Sequence, residues 1–265
     1  MRIIDFENPL TFPQELTSIR LNDYVADETM IIKNRQWWEI AERLHSLKLE
    51  YSNEVKVYIQ NHSDDEIIVN HCSRILSIDE FRYEGLIIGG VSSSEEKRIR
   101  HYLKIIELDE ASINNVMDKV QTLWSRDGKQ RTKSVHFFVP YNLAYEDDQI
   151  NAFALNLGGE VLRWAIESIG TDLYKQEPYK RLWLLGQPSI VRFKVSWGNL
   201  DDSCRNRIVS EIIMHTLATQ MNVPYYFQFT GMTSSNIPPQ NILSIDEIKD
   251  FVRIQEKHSE YKGFY

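Results

Sequence analysis

Three residues whose types and spacing could do chemistry stand on one side of a stretch that reads as a helix, Arg205 to Met221: Arg207, Glu211 and His215, each four positions from the next. A carboxylate and an imidazole one turn apart can share a metal ion if a third ligand comes from elsewhere. The sequence nominates no third ligand, so no metal site is expected and pairing along the helix surface is the simpler reading. A second candidate is Gly89-Gly90-Val-Ser92-Ser93-Ser94, placed between an expected strand and an expected helix, where backbone amides can cradle an anion. It has neither the Gly-Lys-Ser/Thr ending nor the GxGxxG spacing of the phosphate-binding loops. Glu95 and Glu96 follow in the first helical turn, where they complement the helix dipole and repel phosphate. The segment reads as a helix cap.

The strand Ile190-Val-Arg-Phe-Lys194, followed by a helix and then Tyr225-Tyr-Phe-Gln-Phe-Thr230, resembles the core of the PD-(D/E)xK nuclease family over about sixty residues. In that family, acids beside a lysine hold a divalent ion that helps generate and orient the attacking hydroxide. The resemblance implies Lys194 at the lysine position, Asp172 as the upstream acid, and Mg²⁺ or Mn²⁺ as the cofactor. Glu211 and His215 complete that candidate set. Arg192 occupies the place of the second acid. A metal-dependent nuclease or phosphodiesterase with a rearranged site is therefore the alternative function, and a structural strand with outward Arg192 and Lys194 is the leading reading.

No GxSxG elbow or HExxH pair is present, and Cys72 beside His71 is adjacency in sequence, which does not make a nucleophile and base dyad. Cys72 and Cys204 read as small buried hydrophobes. The loop Thr230-Gly-Met-Thr-Ser-Ser-Asn-Ile-Pro-Pro239 is the better recognition candidate. It leaves an expected strand, is rich in small hydroxyl residues and is stiffened by two prolines. Gly231, Thr233, Ser234, Ser235 and Asn236 are its candidate ligand-binding residues.

The elements that must position these residues are those of an α+β chain. Hydrophobic residues at 42% and charged residues at 26% of 265 are ordinary globular values. A helix is expected over Lys33–Leu49 from the spacing of Trp37, Ile40, Ala41, Leu44 and Leu47. Strands are expected at Val55–Ile59, Glu66–Val69 and Leu86–Ile88, and helices at Ser94–Leu108 and Glu110–Trp124. Residues 125–134 are polar throughout and form the expected linker between an acidic domain at 1–124 and a second domain at 135–265.

From Val135 the order reads strand, helix, strand, strand, helix, strand: Val135–Val139, Gln149–Ile169, Arg181–Leu185, Ile190–Val195, Arg205–Met221 and Tyr225–Phe229. That is the βαββαβ order of a split βαβ, or ferredoxin-like, unit in a mixed sheet. Gly158 and Gly159 interrupt the first of these helices at ~1 kcal/mol each, which implies a close backbone approach. The hexapeptide Ile75-Leu-Ser-Ile-Asp-Glu80 recurs letter for letter at Ile242–Glu247. Both copies read as capping boxes, the second opening a final helix towards Lys257.

Formal charge is −8, carried unevenly: residues 1–130 hold 16 Lys and Arg against 23 Asp and Glu, and residues 131–265 hold 14 against 15. Such a balance predicts no tight, sequence-independent nucleic-acid binding. No apolar run approaches the length of a membrane span, and Asp5 and Glu7 fall where a signal peptide has its apolar core. Two cysteines outside any CxxC pattern suit a reducing compartment. The expectation is a cytoplasmic recognition or regulatory protein that binds a protein or nucleotide-like ligand, with the cofactor left open.

Overall fold

A computed structural model describes residues 2–20, 52–62, 64–88, 93–126, 134–154, 157–222 and 224–249. The expected helix at Lys33–Leu49, the Gly89–Ser92 stretch, residues 127–133 of the expected linker and the helix towards Lys257 lie outside them. In chain order the elements are β1 (Ile3–Asp5), α1 (Gln14–Thr17), α2 (Ser52–Asn61), β2 (Glu66–Ile75), α3 (Ile78–Glu84), α4 (Ser93–Ile105) and α5 (Glu110–Arg126). Then come β3 (Val135–Val139), α6 (Leu143–Glu146), α7 (Asp148–Asn151), α8 (Gly159–Ile169), α9 (Arg181–Leu184), β4 (Gln187–Ser196), α10 (Asp202–Gln220), β5 (Phe229–Thr233) and β6 (Ile242–Glu247). The class is α+β.

Among the described residues the sheet has six strands, in the order β5-β3-β2-β4-β6, with β1 paired to β2. β1 runs parallel to β2, whereas β2–β3 and β4–β6 are antiparallel. Through their contacts the residues group into two compact units. One comprises residues 1–68 and 195–231, the other 69–194 and 232–265.

In the first unit, α10 is capped by Asp201, whose side chain accepts from Cys204 N, and its Ile208, Ile212, Ile213 and Leu217 are buried. Phe6, Phe12, Phe227 and Phe229 meet edge to face, with centroids 4.7 to 5.7 Å apart. In the second unit the core lies between α4, α5 and α8: Ile99, Leu103 and Ile106 face Ile113, Val116, Val120, Leu162 and Ile166, all buried. Their spacings of three and four put them on one face of each helix.

Several elements differ from the sequence expectation. Val55–Ile59 belongs to a helix, not a strand. Tyr58 stacks on His62 four residues on, a contact that helical geometry makes, and Val57 is exposed. Leu86 forms one isolated bridge to Ile237, and Ile87 and Ile88 join no strand. Arg181–Leu184 is a helical turn, so the hairpin of the ferredoxin-like reading is replaced by a helix running into β4. A short continuous apolar run carries no period, and local bonds such as Leu182 N to Tyr179 O decided it.

The expected helix Gln149–Ile169 is broken. Gly158 and Gly159 both take positive φ, 78° and 64°, and α8 starts only at Gly159. The glycines mark a change of chain direction and not a close approach within a continuous helix. Finally, the second copy of the hexapeptide is β6, hydrogen-bonded to β4 over Ser189–Phe193, and opens no helix at that point.

Candidate functional site

The sequence candidates divide between the two units. Asp172 and Lys194 belong to the second, and Glu211 and His215 to the first. Asp172 is exposed and pairs with Lys175 at 2.7 Å. Lys194 lies half-buried on β4, in the alternating pattern expected of it. Glu211 and His215 stand one turn apart on α10, but their partners are not each other. Glu211 Oε2 accepts the Tyr225 hydroxyl at 2.6 Å, and His215 stacks on Phe227 at 4.9 Å. Arg207 donates to the carbonyl of Gln228 and lies over the Phe229 ring. Each member of the triplet thus receives a residue of the 225–229 segment. Among the described residues, no group of three His, Cys, Asp or Glu side chains is arranged to hold a metal ion.

That segment was expected as a strand. Positions 225, 227 and 229 do turn inward and Tyr226 is exposed, so the alternation holds, but residues 224–228 have no ladder and the strand begins at Phe229. Of the loop candidates, Gly231 and Thr233 are in β5, and Thr233 is fully buried. Asn236 Oδ1 accepts from Ile88 N at 2.8 Å, and Ile237 exchanges backbone bonds with Leu86. Gly85, with φ of 78°, makes this seam possible, because a Cβ there would lie 2.2 Å from the Ile237 carbonyl oxygen. Ser234 and Ser235 follow β5 on the way to this seam, with Ser234 exposed. The 233–237 stretch is therefore fastened at its far end and is not an open loop.

The second unit contains a cavity of about 240 Å³ that the sequence did not single out. β2 supplies His71, Ser73 and Arg74, and the start of β3 supplies Ser134 and His136. Glu95, Arg98 and Tyr102 of α4 line it too, with Phe81, Phe153 and the Gly158–Gly159 turn. A groove of about 430 Å³ shares Arg74, Phe81, Arg98 and Tyr102 with it and adds Glu80, Glu84 and His101. Arg98 donates to Glu84 at 2.8 Å at this common wall.

Local geometry sets the chemistry of the lining. The Arg74 guanidinium donates to the carbonyls of Ala154, Leu185 and Gly186. Burial lowers it to about 10, so it stays charged at neutral pH. His71 Nδ1 lies 2.8 Å from the His136 carbonyl oxygen. Burial brings its imidazole down to about 4, outweighing the opposite pull of that carbonyl. His136 Nε2 lies 3.5 Å from Ser134 Oγ. Phe153 has its ring 6.2 Å from those of both His71 and His136. Burial raises the Tyr102 hydroxyl and, strongly, the Cys72 thiol, which remains protonated and unsuited to nucleophilic attack.

Together these groups form a concave site with ring faces, two imidazoles and a charged rim, suited to holding a flat polar molecule. The sequence carried no pattern for this lining: β2 mixes Asn70, His71, Ser73 and Arg74 with its apolar residues, and His136 is the single polar residue of Val135–Val139. Comparison of the chain with protein-family models, with curated proteins and with solved structures found no match in any of the three.

Proposed function

We propose that this chain is a recognition protein that binds a small, nucleotide-like ligand in the cavity between β2, β3 and α4. The observation that carries the reading is that Phe153, His71, His136 and Arg98 all line one concave space. Aromatic faces hold flat rings, and a few placed polar groups set orientation. The volume of about 240 Å³ lies below that of most small-molecule sites, usually ~300–1,000 Å³. The ligand is accordingly nucleoside-sized and not a large cofactor. A cytoplasmic setting belongs to the same proposal, supported by two buried cysteines, neither of them in a disulfide.

The test is a ligand-observed NMR screen of the full chain against bases, nucleosides and nucleotides, with Phe153→Ala as control. Binding that weakens about fivefold or more in Phe153→Ala supports the reading. Failure of the whole panel, with Mn²⁺ or Mg²⁺ raising thermal stability in a manner lost on Glu211→Ala, would move the metal-dependent phosphodiesterase to first place.

A further inference from the structure

We infer that the β2 edge of this cavity is a hydrogen-bond acceptor site, in which His71 Nε2 receives an N–H from an amino-bearing aromatic heterocycle. The inference rests on the cavity being the ligand site proposed above. It narrows the ligand class to flat rings that present a donor at that edge, in place of a carbonyl or a bare ring nitrogen.

The argument begins with the ring's other nitrogen. A carbonyl oxygen can only accept, so the 2.8 Å contact between His71 Nδ1 and the His136 oxygen places the proton on Nδ1. In a neutral imidazole, Nε2 then has a lone pair and no hydrogen. Among the described residues Nε2 takes no hydrogen bond, and it is not among the side-chain nitrogens and oxygens sealed from solvent without a partner. With His71 in the cavity lining, the open acceptor is assigned to that space.

Neutrality follows from burial, which holds the imidazole at about 4, well below physiological pH. The same value decides between two roles. A base that weak abstracts protons poorly near pH 7, where general bases are tuned close to the working pH. As an acceptor it needs no such tuning. Phe153, whose ring is 6.2 Å from that of His71, supplies the neighbouring face on which a heterocycle can stack with its edge towards Nε2.

Adenosine and purine riboside, which differ only in the exocyclic amino group, are the probes, used with the full chain labelled with ¹⁵N-histidine. Long-range ¹H–¹⁵N spectra should show His71 as the Nδ1–H tautomer, with Nε2 shifting on adenosine and not on purine riboside. Adenosine should bind about three- to tenfold more tightly, the worth of one net hydrogen bond. His71→Phe should erase that preference and also assigns the resonance. If His71→Phe does not fold, the wild-type spectra and the two affinities decide alone. Equal binding of both probes with an unmoved Nε2, or a preference that survives in His71→Phe, overturns the acceptor site and leaves the cavity reading standing. If neither probe nor any other base, nucleoside or nucleotide binds, the cavity reading falls and this inference falls with it.

Discussion

Tyr225 donates its hydroxyl to Glu211 Oε2 at 2.6 Å, and this bond fastens to a helix a segment that pairs with no strand among the described residues. Burial is the main cause of the raised Tyr225 ionisation, with the Glu211 charge adding to it. Tyr225→Phe should therefore destabilise the protein by ~1–2 kcal/mol, since a partly buried carboxylate loses a hydrogen bond. Glu211→Gln should cost less, because the amide oxygen still accepts. Urea unfolding followed by tryptophan fluorescence checks both. Equal losses in the two variants would show that the strength of this bond depends on the carboxylate charge.

His71 makes stability depend on pH in a defined window. Its folded value of about 4 lies below the ordinary 6.5, so the unfolded chain binds the proton more readily. Above pH 6.5 both states are neutral and the full stability is present. Between 6.5 and about 4 stability falls as the pH falls, by ~1–3 kcal/mol in all. His71→Phe should flatten that part of the profile in urea titrations, although other groups still titrate.

The turn before α8 yields an ordered pair of costs. At Gly158 an alanine would suffer both a positive φ and a Cβ 2.6 Å from Leu162 Cδ2. At Gly159 it would suffer the positive φ alone, with nothing within 4 Å. Gly159→Ala should cost ~1–2 kcal/mol, the price of a left-handed alanine. Gly158→Ala should cost more, unless Leu162 swings aside freely, and thermal denaturation of the two variants ranks them. A double variant more stable than wild type would contradict the turn.

The two serines of the repeated hexapeptide should respond differently. Ser77 accepts from Glu80 N as the cap of α3, and Ser77→Ala should cost ~1 kcal/mol. Ser244 donates to Asp246 on a half-exposed strand, and Ser244→Ala should stay within ~0.5 kcal/mol. Chemical denaturation of both variants supplies the comparison.

Binding to mixed-sequence duplex DNA should be weaker than ~1 μM at about 0.15 M salt. The acidic balance of residues 1–130 opposes phosphate binding, and Arg181 is paired with Glu107 and Glu177. Fluorescence anisotropy measures it. Nanomolar affinity at that salt would overturn the recognition reading.

Residues that carry a strong local rule were legible from the sequence. The helices α4 and α5 and the cap at Ser77 lie where they were expected, because neighbours along the chain determine a helix or an N-cap, whereas the cap at Asp201 starts α10 three residues earlier than expected. Arg181–Leu184 and Tyr225–Phe229 were misread because their apolar content suits more than one backbone, and the choice lay with hydrogen-bond partners elsewhere. The cavity was not legible at all. It is assembled from β2, β3, α4, Phe153 and the Gly158–Gly159 turn, and no spacing between His71, Arg98, His136 and Phe153 announces it.

Ile-Leu-Ser-Ile-Asp-Glu shows most sharply where the boundary falls. At residues 75–80 it ends a strand and starts a helix, and at 242–247 it is a strand throughout. Its six side chains allow both outcomes. After the first copy, Phe81-Arg-Tyr-Glu84 continues the helix and Gly85 ends it with a left-handed residue. The second copy lies along β4, whose backbone offers a ladder from Ser189 to Phe193. A sequence by itself determines which local structures a segment can form; the partner that satisfies its backbone groups, brought near only by the tertiary fold, determines which one it does form.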